Sequence, residues 1–186
     1  AYEISACLVV SEMCIRDRCT ATHPSLDDLM KDFAPKHPVT ELCPQTVRLQ
    51  ESFRRVTFRK AGVLGDDMLA QELQEHSQVL CIVNSRKAAQ RIFERLPQEG
   101  SFHLSTLMIP VQRQKILEEI RERLKAGLPC RVVSTSLIEA GVDVDFPAVY
   151  RELAGLDSIL QAAGRCNREG KRAPEESIVT VFERAE

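Results

Sequence analysis

Nowhere does the sequence run apolar for the roughly 18 to 20 residues that a bilayer-crossing helix needs. Its apolar runs, such as Ala6 to Val10 and Val79 to Val83, are far shorter, and no positively charged segment opens the chain as a secretory leader would. No membrane span or targeting segment is expected, and the cytoplasm is the default location. Cys-x-x-Cys pairs are also missing: the seven cysteines fall at 7, 14, 19, 43, 81, 130 and 166, and the four histidines at 23, 37, 76 and 103 are scattered. That spacing argues against a disulfide framework and a zinc site, so reduced thiols and no structural metal are expected. Charge of one sign is not in excess either. Lys and Arg total 25 against 27 Asp and Glu, a net charge of −2, so overall charge announces no nucleic-acid partner. What remains, 44% hydrophobic and 28% charged in 186 residues without repeats, is a globular composition long enough for one sizeable core.

Charge is nevertheless uneven. Between Arg48 and Lys60 lie Arg48, Arg54, Arg55, Arg59 and Lys60 against one acid, Glu51. Such a strip can bind phosphate, or it can be a charged edge strand that resists pairing with other chains. The first forty-five residues carry Pro24, Pro35, Pro38 and Pro44 without sustained periodicity, the pattern of a loop or linker with one short helix near 25–33. From Thr46 onward strands and helices alternate. A strand is expected over 47–58, and a helix over 66–76 with Met68, Leu69 and Leu73 inward. A doubly buried strand over 79–83 leads to a helix with Ala88, Ala89, Ile92, Phe93 and Leu96 on one stripe, N-capped by Ser85 and ended by Pro97. A short strand near 102–104 precedes a helix from about 110 to 126, its Ile116, Leu117, Ile120 and Leu124 facing the core, stopped by Gly127 and Pro129. Strands at 131–133, 148–151 and 178–182 and a helix over 156–166 complete the pattern. Repeated β-then-α units with short connections predict an α/β domain: a mostly parallel sheet covered by helices on both faces.

In such sheets ligands bind beyond the carboxyl ends of the strands. Two of those places are polar: Asn84, Ser85 and Arg86 follow the 79–83 run, and Ser134, Thr135 and Ser136 follow 131–133, with Glu139, Gly141, Asp143 and Asp145 next. Hydroxyls and free N–H groups at helix starts suit an anionic phosphate backbone, though each cluster also reads as plain helix capping. Gly141 suggests a close backbone approach, and Asp143 could accept from a sugar hydroxyl or simply close an Asx-turn. On a helix, Gln161, Gly164, Arg165 and Arg168 fall at i, i+3, i+4 and i+7, which puts an amide and two guanidiniums on one face. Planar guanidinium forks match phosphate oxygens.

Here the residues become recognisable. Val132 to Pro147 (VVSTSLIEAGVDVDFP), Leu153 to Ser158 (LAGLDS) and Gln161 to Gly170 (QAAGRCNREG) resemble motifs V and VI of superfamily 2 helicases, and specifically those of the CRISPR-associated helicase-nuclease of type I systems. Val79 to Arg86 (VLCIVNSR) resembles motif IV, Leu104-Ser105-Thr106 with Arg113 the motif after it, and Cys19-Thr20-Ala21-Thr22 motif III. The order of the matches agrees with the family over about 19–186. The resemblance implies a second RecA-like helicase lobe over 46–186, with 19–45 the end of the first lobe and its linker. It implies that Gln161, Arg165 and Arg168 face the ATP γ-phosphate, that Gly141 and Asp143 lie near the ribose, and that Ser85, Arg86, Ser105, Thr106, Ser134 and Thr135 hold phosphates of single-stranded DNA. The implied parent is an ATP-dependent DNA helicase and nuclease of CRISPR antiviral interference, using ATP with Mg, translocating 3′ to 5′ and working with the CRISPR surveillance complex.

Against that pattern the chain holds no G-x-x-x-x-G-K-[ST], no Asp-Glu dipeptide and no His-Asp pair, so the P-loop, the acidic metal motif and the nuclease centre are not in it. The expectation is half of an ATP cleft: negligible ATP turnover and no tight nucleotide binding by this chain alone, its partners being the first lobe and the nuclease domain. Ser11 to Arg18 (SEMCIRDR) puts charge where the family has a buried strand. It looks like translated adapter sequence from a transposon-based sequencing library, and 1–18 is expected to be non-native. Two other functional classes remain open: a non-catalytic DNA-binding or partner-docking module, and an unrelated nucleotide-binding domain with Cys166 a reactive thiol made acidic by Arg165 and Arg168.

Overall fold

Alternation within one strand decides the layering. In the segment Gln78–Ile82, Val79 and Cys81 join one buried cluster while Leu80 and Ile82 join another, all four essentially without exposure. A strand buried on both faces needs a cover on each. The computed structural model describes Glu51, residues 53–138 and residues 142–185, and supplies both covers. Six strands form one sheet: β1 (Thr57–Leu64), β2 (Gln78–Ile82), β3 (Ser101–Leu104), β4 (Cys130–Ser134), β5 (Ala148–Glu152) and β6 (Ile178–Arg184). They lie in the order β1-β6-β5-β2-β4-β3 with every neighbouring pair parallel. Helices α1 (Asp66–Glu75) and α2 (Arg86–Phe93) bury Leu69, Leu73, Ala88, Ala89 and Ile92 against the Val79 side. Helices α3 (Pro110–Lys125) and α4 (Leu156–Ala163) bury Ile120 and Ala162 against the Leu80 side. This is the α/β architecture that the β-then-α alternation predicts, and it agrees with the RecA-like lobe that the resemblance implies. The segments 1–18 and 19–45, and the boundary at 46, lie outside the described residues.

Several local expectations shift. The first strand runs over Thr57–Leu64 rather than 47–58. Among the described residues it is an edge strand paired with β6 alone, so it tolerates the charged Arg59 and Lys60, and Gly62, at φ 76°, absorbs a register shift in the ladder. Met68 is exposed; the inward stripe of α1 is Leu69, Ala70 and Leu73. Ser85 holds the N-cap position of α2 without a side-chain cap bond, and that helix ends at Phe93, before Pro97. α4 stops at Ala163 rather than at Cys166, which matters for the site below.

The end of α3 matches its sequence signal. Gly127 sits at φ 67°, Leu128 N–H donates to Arg123 O at 3.0 Å and Gly127 N–H to Leu124 O at 3.4 Å, the paired bonds of a Schellman cap. Gly127→Ala keeps the space but not the backbone freedom, and should lower stability by about 1 kcal/mol in a urea melt.

Two half-buried histidines make the domain sensitive to acid. Burial lowers the pKa of His76, with Arg59 and Arg131 adding to the effect and Glu72 and Glu75 opposing it, and burial alone lowers that of His103, which stacks on Phe93 at 5.6 Å. Near pH 6.5 the unfolded chain therefore binds more protons than the folded one, so stability rises with pH through that window and is lost on acidification below it. The urea midpoint should fall between pH 7.5 and 5.5, and His103→Phe should reduce that fall; an unchanged fall in the variant would remove His103 from the account.

Candidate functional site

Parallel strands place all their carboxyl ends on one edge, and β2, β4 and β3 are adjacent there. The residues leaving them, Ser85 and Arg86, Ser134 and Thr135, and Ser105 and Thr106, are thereby gathered along one rim. Arg86 and Thr106 are exposed and Ser85 half-buried, while Ser105, Ser134 and Thr135 are buried. Ser134 Oγ donates to Thr135 O at 2.9 Å, Ser105 Oγ accepts from Leu107 N–H at 3.3 Å, and Thr135 Oγ1 is buried with no hydrogen-bond partner among the described residues. A brace stands beside the rim. Asn84 N–H donates to Glu152 Oε2 at 2.7 Å, Asn84 Nδ2 to Leu153 O at 2.9 Å, and buried Arg151 gives its Nη1 to Asn84 Oδ1 and Glu152 O, both at 2.8 Å. The turn that carries Ser85 and Arg86 is thus tied to the end of β5. Arg151 and Glu152 escape a reading of motifs; the one signal is the charged pair that closes an otherwise apolar strand.

The arginine group lies elsewhere. After α4 ends, Gly164 caps it and the chain folds back beside the segment preceding β5: Phe146 N–H donates to Arg165 O at 2.9 Å and Asn167 N–H to Phe146 O at 3.0 Å. Cys166 and Phe146 form an isolated parallel bridge. Gln161, Gly164, Arg165 and Arg168 therefore do not share one helical face, because tertiary pairing with Phe146 replaces the last turn the periodicity implies. Gln161 stays on α4, half-buried. Arg165 is largely buried, its Nε donating to Ile138 O at 3.1 Å. Arg168 is exposed and pairs its Nε with Asp143 Oδ1 at 2.8 Å. Asp145 takes the Arg168 N–H at 2.7 Å and Arg172 Nη1 at 3.2 Å. The structure thus brings Arg168 and Asp143 together, on the segment that leads into β5 rather than on the carboxyl rim. Gly141 lies outside the described residues. A cleft of about 450 Å³ adjoins the turn, lined by Arg121, Asp143, Asp145, Lys171 and Arg172 among others.

Cys166 is not a reactive thiol. It is buried, its Sγ lies 3.5 Å from Pro147 O, and burial reinforced by Asp145 pushes its pKa up to about 12. Arg165 and Arg168 spend their charge on Ile138 O and Asp143 instead. At pH 7.5 a maleimide should leave Cys166 unlabelled in the native chain and label it once urea unfolds the domain; rapid native labelling would contradict the burial. Among the described residues no group of three or more His, Cys, Asp and Glu is placed to hold a metal ion, and no helix is long and apolar enough to cross a membrane.

The stretch that carries both groups also decides the kinship. Residues 75–171, from the end of α1 through the arginine turn, match the family model described as CRISPR-associated nuclease/helicase Cas3, C-terminal. The chain belongs to that family. Against the CRISPR-associated nuclease/helicase Cas3 of Haloferax volcanii it is 50% identical over 56 residues, 30% of this chain and 6% of that protein. The crystal structure of T. fusca Cas3 with ADP aligns at a TM-score of 0.58 and 20% identity, over 72% of this chain and 19% of that one. The Mycobacterium smegmatis helicase Lhr bound to single-stranded DNA and AMP-PNP aligns at 0.53 and 18%, over 69% and 20%. The two structures share the fold with this Cas3-family domain, and the chain spans a fifth or less of each protein's length.

Proposed function

We propose that this Cas3-family chain is the second motor lobe of an ATP-driven single-stranded DNA translocase, the arginine turn serving ATP and the hydroxyl rim serving DNA. Within the larger protein the lobe would act in CRISPR antiviral interference, beside a first lobe, a nuclease domain and the surveillance complex. The observation that carries this reading is the arginine turn: an exposed guanidinium at Arg168, held in place by Asp143 and by Asp145 on its own N–H, next to buried Arg165. Bound ATP would supply a γ-phosphoryl group whose oxygens gain charge as it is transferred. Arg168, exchanging Asp143 for a phosphate oxygen, would stabilise that charge, with Arg165 anchored beside it through Nε on Ile138 O. Among the described residues no group of three or more His, Cys, Asp and Glu is placed to hold a metal ion, so this reading leaves the Mg that accompanies ATP to the first lobe.

On the rim, Arg86 and Thr106 present a cation and a hydroxyl, with Ser85, Ser105, Ser134 and Thr135 beneath them. Such groups contact phosphates and carry little sequence information. That the arginine turn and the rim sit at different ends of the strands suits a motor, in which closing on nucleotide changes the grip on DNA. The test compares ATP turnover, with and without single-stranded DNA, of the full-length protein and of this 186-residue chain. Strong stimulation by DNA in the former and negligible turnover in the latter are expected. Absence of ATP turnover in the full-length protein would leave a non-catalytic binding module as the better account, turnover indifferent to DNA would overturn the coupling of the rim to the motor, and turnover at helicase rates by the chain alone would overturn the half-cleft reading.

A further inference from the structure

One buried polar side chain beside the arginine turn is used by nothing described so far. Asn167 is 1% exposed and lies in the left-handed region at φ 46°, and among the described residues it is the one non-glycine with positive φ. Its carboxamide is fully engaged with backbone. Nδ2 donates to Arg55 O at 2.8 Å and to Arg172 O at 2.7 Å, and Oδ1 accepts Arg172 N–H at 3.0 Å. Its own N–H and carbonyl are taken by Phe146 O and Gly170 N–H, both at 3.0 Å. Arg55 reaches back as well, donating Nη1 to Arg168 O. Three segments thus meet on one side chain: the residues leading into β1, the turn bearing Arg165 and Arg168, and the loop at Arg172.

We propose that Asn167 is a positioning residue for Arg168: with Arg55, it clamps the arginine turn to the segment entering β1, so that the guanidinium is presented at one fixed place. The proposal rests on the reading of Arg168 given above. The chemistry of the clamp selects the residue. Two donors and one acceptor on a three-atom plane are what a carboxamide offers. An aspartate there would turn an oxygen toward the carbonyls of Arg55 and Arg172, and asparagine tolerates the left-handed backbone better than other side chains of its size.

The test uses the full-length protein with saturating single-stranded DNA, and reads kcat and KM for ATP together with a thermal melt. Asn167→Asp removes the donors at constant shape, and Asn167→Gly keeps the backbone freedom while deleting the clamp. Either should lower kcat by about 100-fold, the cost of a small misplacement of a catalytic group, with KM little changed. Arg55→Met, on the exposed surface and safe for folding, should lower kcat by about three- to tenfold, the worth of one hydrogen bond. Combining Asn167→Gly with Arg168→Ala should cost no more than Arg168→Ala alone, since Asn167 acts through Arg168. Variants that melt earlier yet keep wild-type kcat per folded molecule, Arg55→Met with wild-type kcat, or additive losses in the double variant would each overturn the clamp. If Arg168→Ala is itself without effect, the ATP reading fails and the clamp with it; if Arg168→Ala is inactive while the Asn167 variants turn over normally, the clamp alone fails.

Discussion

Alanine at Arg168 should lower the DNA-stimulated ATP turnover of the full-length protein by about 10³-fold, the lower end of what an arginine on a transferring phosphoryl group contributes. The size of the loss is interpretable because the side chain does little else. Among the described residues its one ion-pair partner is Asp143, at 2.8 Å, and the two side chains are 43% and 77% exposed. An exposed pair of this kind contributes about 0 to 1 kcal/mol to stability, so the melting temperature should hardly move. Arg165 offers no such clean experiment. Largely buried and bonded to Ile138 O, it would lose fold and activity together on truncation. Lysine at 168 keeps the charge but not the planar fork, and should recover a minor part of the rate. Single-stranded DNA affinity, read by fluorescence anisotropy, should be retained in Arg168→Ala, since the hydroxyl rim lies at the other end of the strands. Unchanged turnover would remove Arg168 from the ATP site; lost DNA affinity would move it to the DNA site.

The parts legible from sequence are those where local pattern and tertiary demand agree. Val79 to Val83 announces a strand buried on both faces, and β2 lies in the middle of the sheet. The stretch around Gly127 announces a helix end, and the Schellman bonds are there. Where the two demands part, the pattern misleads. β1 carries Arg59, Lys60 and Gly62, poor strand formers, yet it needs one partner only and its residues pair with β6 from Thr57 on. The arginine face fails for the opposite reason. Gln161 to Arg168 keeps helical spacing, but the Phe146 backbone pairs with Arg165 and Asn167 and ends the helix early. No periodicity can register a bond to a residue twenty positions away. Asn167 is invisible on the same ground: between Cys166 and Arg168 it reads as a surface polar residue, and only the carbonyls of Arg55 and Arg172 make it structural. The placement of Ser85, Ser105 and Ser134 along one edge, by contrast, is legible, because topology alone gathers the residues that follow parallel strands.

Phe146→Ala should cost about 3 to 5 kcal/mol of folding stability. Phe146 is among the largest fully buried side chains and stands in the cluster with Leu80, Val149, Ala162, Cys166 and Val179, between the sheet and α4. Removing the ring leaves a cavity that parallel strands on one side and a helix on the other cannot readily collapse into. Against a usual domain stability of about 5 to 15 kcal/mol, that loss is a large fraction of the whole, and the urea midpoint of the chain should fall accordingly. The backbone bonds from Phe146 to Arg165 and Asn167 do not need the ring. Leucine at 146 should therefore keep the arginine turn in register while losing about 1 kcal/mol, as nearly volume-conserving swaps do. The pair separates packing from positioning: Phe146→Leu should retain full-length ATP turnover at 20 °C, whereas Phe146→Ala should lose it in step with the unfolded fraction. Turnover lost in the leucine variant without a matching loss of stability would mean that the ring itself, and not only the backbone beside it, sets where Arg168 stands.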